Sequence, residues 1–151
     1  MQISILDQSP IRQGSDAQQA FRETLELSVF AESLGYHRFW VSEHHSTDAL
    51  AGSAPEILIA AIAQHTHKIR VGSGGIMLPH YSPYKVAETA STLACLFPDR
   101  IDLGVGRAPG TDMVSAGALS HDGKTRFEKF PEMVEQLQSM LFDPQFRPPV
   151  K

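Results

Sequence analysis

The chain has 151 residues, of which 42% are hydrophobic and 20% charged, and this composition is typical of one globular domain. Its formal net charge is -4, and the lysines and arginines are scattered, so it lacks the basic field that nucleic acid or an anionic membrane would need. No apolar run is long enough to span a bilayer, and no basic segment precedes the apolar residues at the N-terminus. We therefore expect a cytoplasmic protein that binds neither nucleic acid nor membrane.

Four candidate strands alternate with helical patterns along the chain. We predict strands over residues 3–6, 38–41, 69–78 and 101–105. A strand, helix, strand repeat of roughly thirty residues is the unit of parallel α/β folds. The order of the elements therefore predicts a (βα)4 arrangement with parallel strands.

Eight such units close a TIM barrel, which takes about 250 residues. Four units in 151 residues therefore predict the N-terminal half of such a barrel, with the missing part on the C-terminal side. A four-stranded doubly wound sheet has the same alternation of elements, and the sequence leaves that alternative open. We place the half-barrel at residues 1–142 and expect an extended, proline-rich tail at residues 143–151.

The first two helices have recognisable ends in the sequence. The first is predicted to begin at residue 16 or 17 and to end at Leu34, because apolar residues recur at helical spacing and Gly35 is a natural stop. Ser53 and Glu56 have the spacing of a capping box, which predicts that Ser53 is the N-cap of the second helix.

The later helices are marked mainly by prolines. Ser82 and Pro83 predict the start of a third helix that ends near Leu96. A fourth helix is expected somewhere after Asp122, and Pro131 should kink it or restart it before residues 133–141.

Cys95 is the one cysteine, so no internal disulfide bond can form. It lies in an apolar stretch of the third predicted helix, which favours a small buried thiol over a nucleophile. We therefore expect it to have no part in catalysis.

The third predicted strand is interrupted by glycines in the stretch Ile-Arg-Val-Gly-Ser-Gly-Gly-Ile-Met-Leu-Pro-His, residues 69–80. Glycines within a strand mark a bulge or a place where a ligand approaches the backbone closely. Gly72, Gly74 and Gly75 therefore predict a flat surface against which a planar ligand could rest.

Glu43, His44 and His45 follow the second predicted strand, where α/β folds gather catalytic groups. Three interpretations are open. A histidine that titrates near neutral pH could act as a general acid or base, the three side chains could bind a metal, or exposed loop histidines could have no role. Metal binding is the weakest of the three, because neighbouring residues of a strand point to opposite faces.

A glycine-rich turn, residues 104–110, follows the fourth predicted strand. Its spacing is neither that of a dinucleotide-binding loop nor that of a P-loop, so a purely structural turn is nearly as good an interpretation. Arg107 favours a binding role, because its planar guanidinium suits a phosphate or a carboxylate.

Taken together, Ser-Glu-His-His after the second strand, the glycine-rich third strand, and Arg-Ile-Asp-Leu-Gly-Val-Gly-Arg at the fourth resemble the bacterial luciferase-like flavin monooxygenases. The match spans nearly the whole chain, in order and with compatible spacing. The resemblance implies a TIM barrel that uses reduced FMN, or in one branch the deazaflavin F420. It also implies a cis peptide between Gly74 and Gly75, against which the flavin ring rests.

The resemblance implies roles for particular residues. His44 matches the family's catalytic histidine, and Arg107 matches an arginine that faces the flavin phosphate. The residues implied to bind the cofactor are Gly74, Gly75, Ile76, Met77, Gly106, Arg107 and Arg126. The cysteine that luciferases carry near the position of Gly106 is absent, which argues against light emission.

The resemblance also implies the partners: oxygen, a small organic substrate and a separate flavin reductase. We expect a homo-oligomer. A non-catalytic flavin-binding or structural half-barrel that dimerises to cover its sheet edges is an alternative. A metal-dependent hydrolase that uses Glu43, His44 and His45 is a third hypothesis.

Overall fold

The computed structural model describes residues 1–108, 112–120, 126–143 and 145. One parallel sheet contains four strands: β1 (Ser4–Asp7), β2 (Arg38–Val41), β3 (Arg70–Met77) and β4 (Ile101–Gly106). The α-helices are α1 (Ala17–Ser33), α2 (Pro55–His65), α3 (Pro83–Leu96), α4 (Met113–Leu119) and α5 (Phe130–Phe142). Short 3-10 helices span Leu78–His80 and Phe127–Lys129.

The strand order distinguishes the two predicted architectures. Each strand pairs in parallel with the next one in the chain, so the order in the sheet is β1-β2-β3-β4. A doubly wound sheet would instead reverse its strand order at a switch point. The predicted (βα)4 half-barrel is therefore confirmed, and all four predicted strands are present.

The helix ends agree with the sequence in part. Asp16 caps α1 by accepting a hydrogen bond from the backbone N–H of Gln19 at 2.8 Å, and Gly35 follows the helix with a φ of 78°. The predicted capping box of α2 is wrong, because the N-cap is Ala54 and no side chain caps it. Proline suits the first helical position, so α2 begins at Pro55 and leaves Ser53 outside the helix.

The C-terminal helices agree with the prediction in part. Of the two predicted effects of Pro131 the restart is confirmed, because α5 begins at Phe130 and Pro131 lies in its first turn, where its missing N–H is harmless. The short helix α4, which follows Asp112 as its N-cap, was not predicted. Most of the predicted tail, residues 144 and 146–151, lies outside the described residues, as do residues 109–111 and 121–125.

The prediction that Cys95 is buried is wrong, because its side chain is exposed. The buried residue of this turn is Leu93. Two residues along a helix rotate the side chain by about 200°, so Cys95 lies on the opposite face of α3.

Strand alternation separates the two faces of the sheet. Phe39, Val41 and Val71 are fully buried against α1 and α2, while a second buried cluster joins the end of β3 to α3 and α5. Leu6 and Trp40 alternate with these residues and line the opposite face. The inner face is therefore the side of the sheet on which a ligand could bind.

An ion-pair cluster holds the inner face at the N-terminal ends of the strands. Arg38 donates to Asp102 at 2.5 Å, and Arg70 donates to both carboxylate oxygens at 2.7 and 2.8 Å. Burial alone would raise the pKa of Asp102, but the hydrogen bonds from Arg70 and Arg38 outweigh it and hold this pKa below its usual value. The Arg38 guanidinium also lies 5.1 Å from the centroid of the Trp40 ring, which fixes that ring on the inner face.

Candidate functional site

A buried carboxylate lies at the exit of β2. Glu43 is 1% exposed, although charged side chains are rarely buried without partners. Its Oε2 accepts the backbone N–H of Met77 at 2.8 Å, while its Oε1 accepts the Tyr81 hydroxyl at 3.0 Å and the His45 Nε2 at 2.7 Å. Three donors from two segments of the chain therefore satisfy this carboxylate.

The adjacent His44 has different partners. Its backbone N–H donates to the Gly52 carbonyl at 2.8 Å, and its ring Nε2 lies 3.1 Å from the side-chain Nε2 of Gln8. With the Gln8 amide in this orientation its nitrogen donates, so the imidazole Nε2 is the acceptor of this hydrogen bond. The half-buried His44 ring can therefore take up a proton at Nε2.

The glycines of β3 lie in a shallow depression on the inner face. The peptide between Gly74 and Gly75 is cis, as the family resemblance implies. The depression has a volume of about 240 Å³ and is lined by Leu6, Trp40, Ser73, Gly74, Gly75, Gly104 and Val105. Because glycine backbone and apolar side chains form most of its walls, the depression fits a flat, largely apolar ring.

The exit of β4 lies beside that of β3. Gly106 pairs with Met77 in the sheet, and the exposed Arg107 follows directly. Pro109 and Gly110 of the predicted turn lie outside the described residues. Arg107 thus carries its charge to the same edge of the sheet as Met77.

Arg126 has a structural role in addition to any binding role. Its Nε donates to the Pro79 carbonyl and its terminal nitrogen to the Tyr81 carbonyl, both at 3.0 Å. These bonds hold the connection between β3 and α3. Only the remaining N–H groups of the guanidinium could contact a phosphate.

Most of the predicted site residues lie together at the C-terminal ends of the parallel strands. Glu43, which directly precedes His44, accepts a hydrogen bond from the backbone of Met77, and Met77 pairs with Gly106 in the sheet. The Ile76 side chain is the exception, because it is 5% exposed and packs in the buried cluster with α3 and α5. Of Ile76, only the backbone can contact a ligand on the inner face.

Sequence reasoning missed the hydrogen-bonding role of Glu43 and the parts played by Gln8 and Tyr81. Gln8 reaches His44 from the β1 exit, and Tyr81 reaches Glu43 from 38 residues farther along the chain. A charged residue directly after a buried strand was the available signal for Glu43. For the two partners the sequence contains no pattern that marks them.

In the part of the chain that the structure describes, no group of three or more His, Cys, Asp and Glu side chains could hold a metal ion. His45 turns to Glu43, whereas His44 turns to Gln8, so the two imidazoles do not converge. No helix among the described residues is both long and apolar enough to cross a membrane.

The Tyr81 hydroxyl should make folding stability depend on alkaline pH. Burial, followed by the charge and the hydrogen bond of Glu43, raises the pKa of Tyr81 above its ordinary value near 10. Above about pH 10 the unfolded chain therefore loses this proton while the folded chain retains it. The free energy of unfolding should then fall by about 1.4 kcal/mol per pH unit from this group alone.

Urea unfolding between pH 8 and 11 measures this effect. Tyr81→Phe should lose the contribution and show a shallower decline than the wild type. Tyr84→Phe, which removes an exposed phenol on α3, is the matched control and should decline like the wild type. Equal slopes for Tyr81→Phe and the wild type would contradict the prediction.

Comparison with known proteins identifies relatives along nearly the whole chain. A family model described as luciferase-like monooxygenase matches residues 1–149. The N-acetyl-S-alkylcysteine monooxygenase of Bacillus subtilis is 50% identical over 143 residues, which cover 95% of this chain and 43% of that protein. The chain thus spans about two fifths of the length of this relative.

Two solved structures are similar to the fold described above. The structure of apo-MsnO8 has a TM-score of 0.92 and 44% identity, covering 97% of this chain and 44% of that one. The second is the oxygenating constituent of 3,6-diketocamphane monooxygenase from Pseudomonas putida, a type II Baeyer-Villiger monooxygenase in complex with FMN. Its TM-score is 0.79 with 26% identity, covering 92% of this chain and 38% of that one.

Proposed function

Because the chain belongs to the family of luciferase-like monooxygenases, we propose that it is the flavin-binding N-terminal half of an FMN-dependent monooxygenase. The whole enzyme would use reduced FMN and oxygen to oxidise a small organic substrate. The observation that carries this proposal is the glycine-lined depression on the inner face, which shares one edge of the sheet with His44 and Arg107. We also propose that residues 1–142 are the N-terminal half of the enzyme's barrel domain.

FMN is the proposed cofactor, in its reduced form as a cosubstrate. The similar 3,6-diketocamphane monooxygenase binds FMN, and the depression of this chain suits a flat ring. Reduced FMN would supply the electrons that activate oxygen. The deazaflavin F420, which one branch of the family uses, is the alternative cofactor.

The proposed residues divide the work of binding and proton transfer. Gly74 and Gly75 provide the surface for the ring, with backbone contacts from Ile76 and Met77. Gly106 and Arg107 would bind the phosphate, together with the N–H groups of Arg126 that do not hold Pro79 and Tyr81. His44 accepts and returns a proton at Nε2, the nitrogen that faces Gln8 as a hydrogen-bond acceptor.

Removal of the Arg107 charge tests the phosphate assignment. A hydrogen bond to a charged group contributes about 1.5 to 3 kcal/mol, so Arg107→Ala should weaken FMN binding by roughly 10- to 100-fold. Riboflavin lacks the phosphate, and its affinity should be unchanged. Fluorescence titrations with both flavins, in a complete barrel that contains this chain, measure the difference.

Arg22→Ala is the matched control, since Arg22 lies exposed on α1 and bonds only to Gln19 in the described part of the chain. It should leave both affinities unchanged. Equal losses for FMN and riboflavin in Arg107→Ala would place Arg107 away from the phosphate. Oxygen consumption with reduced FMN then separates the two proposed functions. A monooxygenase should consume oxygen faster than free reduced FMN does when substrate is present. A non-catalytic flavin-binding half-barrel should not exceed the rate of free reduced FMN.

The proposed partners follow from the same assignment. The similar Pseudomonas protein is an oxygenating constituent, which favours a separate flavin reductase as the source of reduced FMN. We also propose a homo-oligomer, because β1 and β4 are the edges of the sheet formed by the described residues. Light emission is not proposed, because no cysteine lies near Gly106.

A further inference from the structure

The Glu43 carboxylate connects two parts of the proposed site that are distant in the sequence. It belongs to the segment after β2 that carries His44, and it accepts the backbone N–H of Met77 at the end of the glycine-bearing strand β3. It also accepts the hydroxyl of Tyr81, in the connection that leads to α3. Glu43 is 1% exposed, so these bonds lie in the protein interior.

The carboxylate also distinguishes the two adjacent histidines. His45 Nε2 lies 2.7 Å from Glu43 Oε1, and a carboxylate only accepts, so this nitrogen must carry a hydrogen. The His45 ring is further held by an edge contact with His80, at 6.4 Å between centroids. His45 is therefore fixed by structural contacts, while His44 directs its Nε2 toward Gln8.

We propose that Glu43 is a positioning residue: its buried carboxylate holds the His44 ring in register with the glycine floor of β3. Glu43 itself touches neither flavin nor substrate. The inference rests on the proposed function, because it takes His44 as the group that transfers the proton.

The physical basis is that Glu43 offers only acceptors to three donors. Glutamine in its place would present its N–H group either to the Met77 N–H, which can only donate, or to the Tyr81 hydroxyl and His45, which would both have to reverse their roles from donor to acceptor. The segment after β2 would then move relative to β3. A misplacement of about 1 Å can lower a rate by about 100-fold.

The test is a double-mutant cycle with His44 in a complete barrel that contains this chain. Glu43→Gln should lower kcat by roughly 10- to 100-fold, with the substrate KM and the FMN Kd changed by less than about 3-fold. In the His44→Ala background the same substitution should cause no further loss, because it acts through His44. Hydrogen exchange at the Met77 amide should be faster in Glu43→Gln, which reports the weakened attachment of β3 to residue 43 without any turnover.

Glu56→Gln is the matched control. Glu56 also acts on Tyr81 through its charge, yet its Oε2 has no hydrogen-bond partner among the described residues. It should leave kcat and the Met77 exchange rate unchanged. Should Glu43→Gln not fold, Glu43→Asp, which keeps the charge but shortens the reach, enters the same cycle with the same expectations.

The outcomes separate this inference from the function on which it rests. Wild-type turnover in His44→Ala would overturn the proposed function itself. A strong effect of His44→Ala with no effect of Glu43→Gln would overturn only the positioning role. If the two fold-losses in kcat multiply in the double variant, Glu43 acts independently of His44. That result would also overturn the positioning role.

Discussion

In a complete barrel that contains this chain, replacement of His44 by alanine should lower turnover by about 100- to 10,000-fold. General acid or base catalysis by a positioned side chain contributes a factor of this size. His44 is suited to it because its Nε2 is held by a hydrogen bond with Gln8 and because its backbone is tied to Gly52 by a 2.8 Å hydrogen bond. Alanine removes the imidazole while the backbone bond can remain.

Flavin affinity should change little in the same variant, since the ring surface and the phosphate contacts belong to other residues. Steady-state kinetics, together with a fluorescence titration of FMN, measure both quantities. His65→Ala is the matched control: His65 lies exposed at the C-terminal end of α2, and its ring bonds only to the Ala61 carbonyl within the described part of the chain. Wild-type turnover in His44→Ala would reduce His44 to a residue that lines the site.

The sequence predicted the sheet because each strand has its own local signal. Residues 38–41 form β2 with the predicted bounds, and α1 ends one residue before the predicted Leu34. In a parallel sheet with sequential order, these local signals also determine which strand ends lie together. The edge that holds His44, Gly74 and Arg107 could therefore be predicted without knowledge of side-chain contacts.

The interactions within that edge could not be predicted in the same way. Tyr81 and Glu43 are 38 residues apart, and their hydrogen bond depends on how the connection after β3 folds back over the β2 exit. Arg126, which we predicted to contact phosphate, uses two donors to hold that connection. A residue type and its place in a motif do not show which of its donors other parts of the protein already occupy.

Gly104→Ala, in the middle of β4, should strongly destabilise the protein. A Cβ atom at Gly104 would lie well inside van der Waals contact with the Ser73 backbone carbonyl of the neighbouring strand. Ser73 is fully buried, donates its hydroxyl to the Gly104 carbonyl at 2.8 Å and accepts the Gly104 N–H at 3.1 Å. Neither strand can move away without breaking this pair of bonds, which lies at the floor of the proposed flavin site.

We expect Gly104→Ala to lower the free energy of unfolding by about 3 kcal/mol, the upper range for overpacking a well-packed interior. Gly117→Ala is the matched control, because Gly117 is exposed within α4 and a Cβ atom there meets no atom within 4 Å. In a helix alanine is favoured over glycine by about 0.5 to 1 kcal/mol, so the control should be slightly more stable than the wild type. Urea unfolding followed by far-UV circular dichroism gives both values, and wild-type stability in Gly104→Ala would show that β3 and β4 are not packed as closely as described.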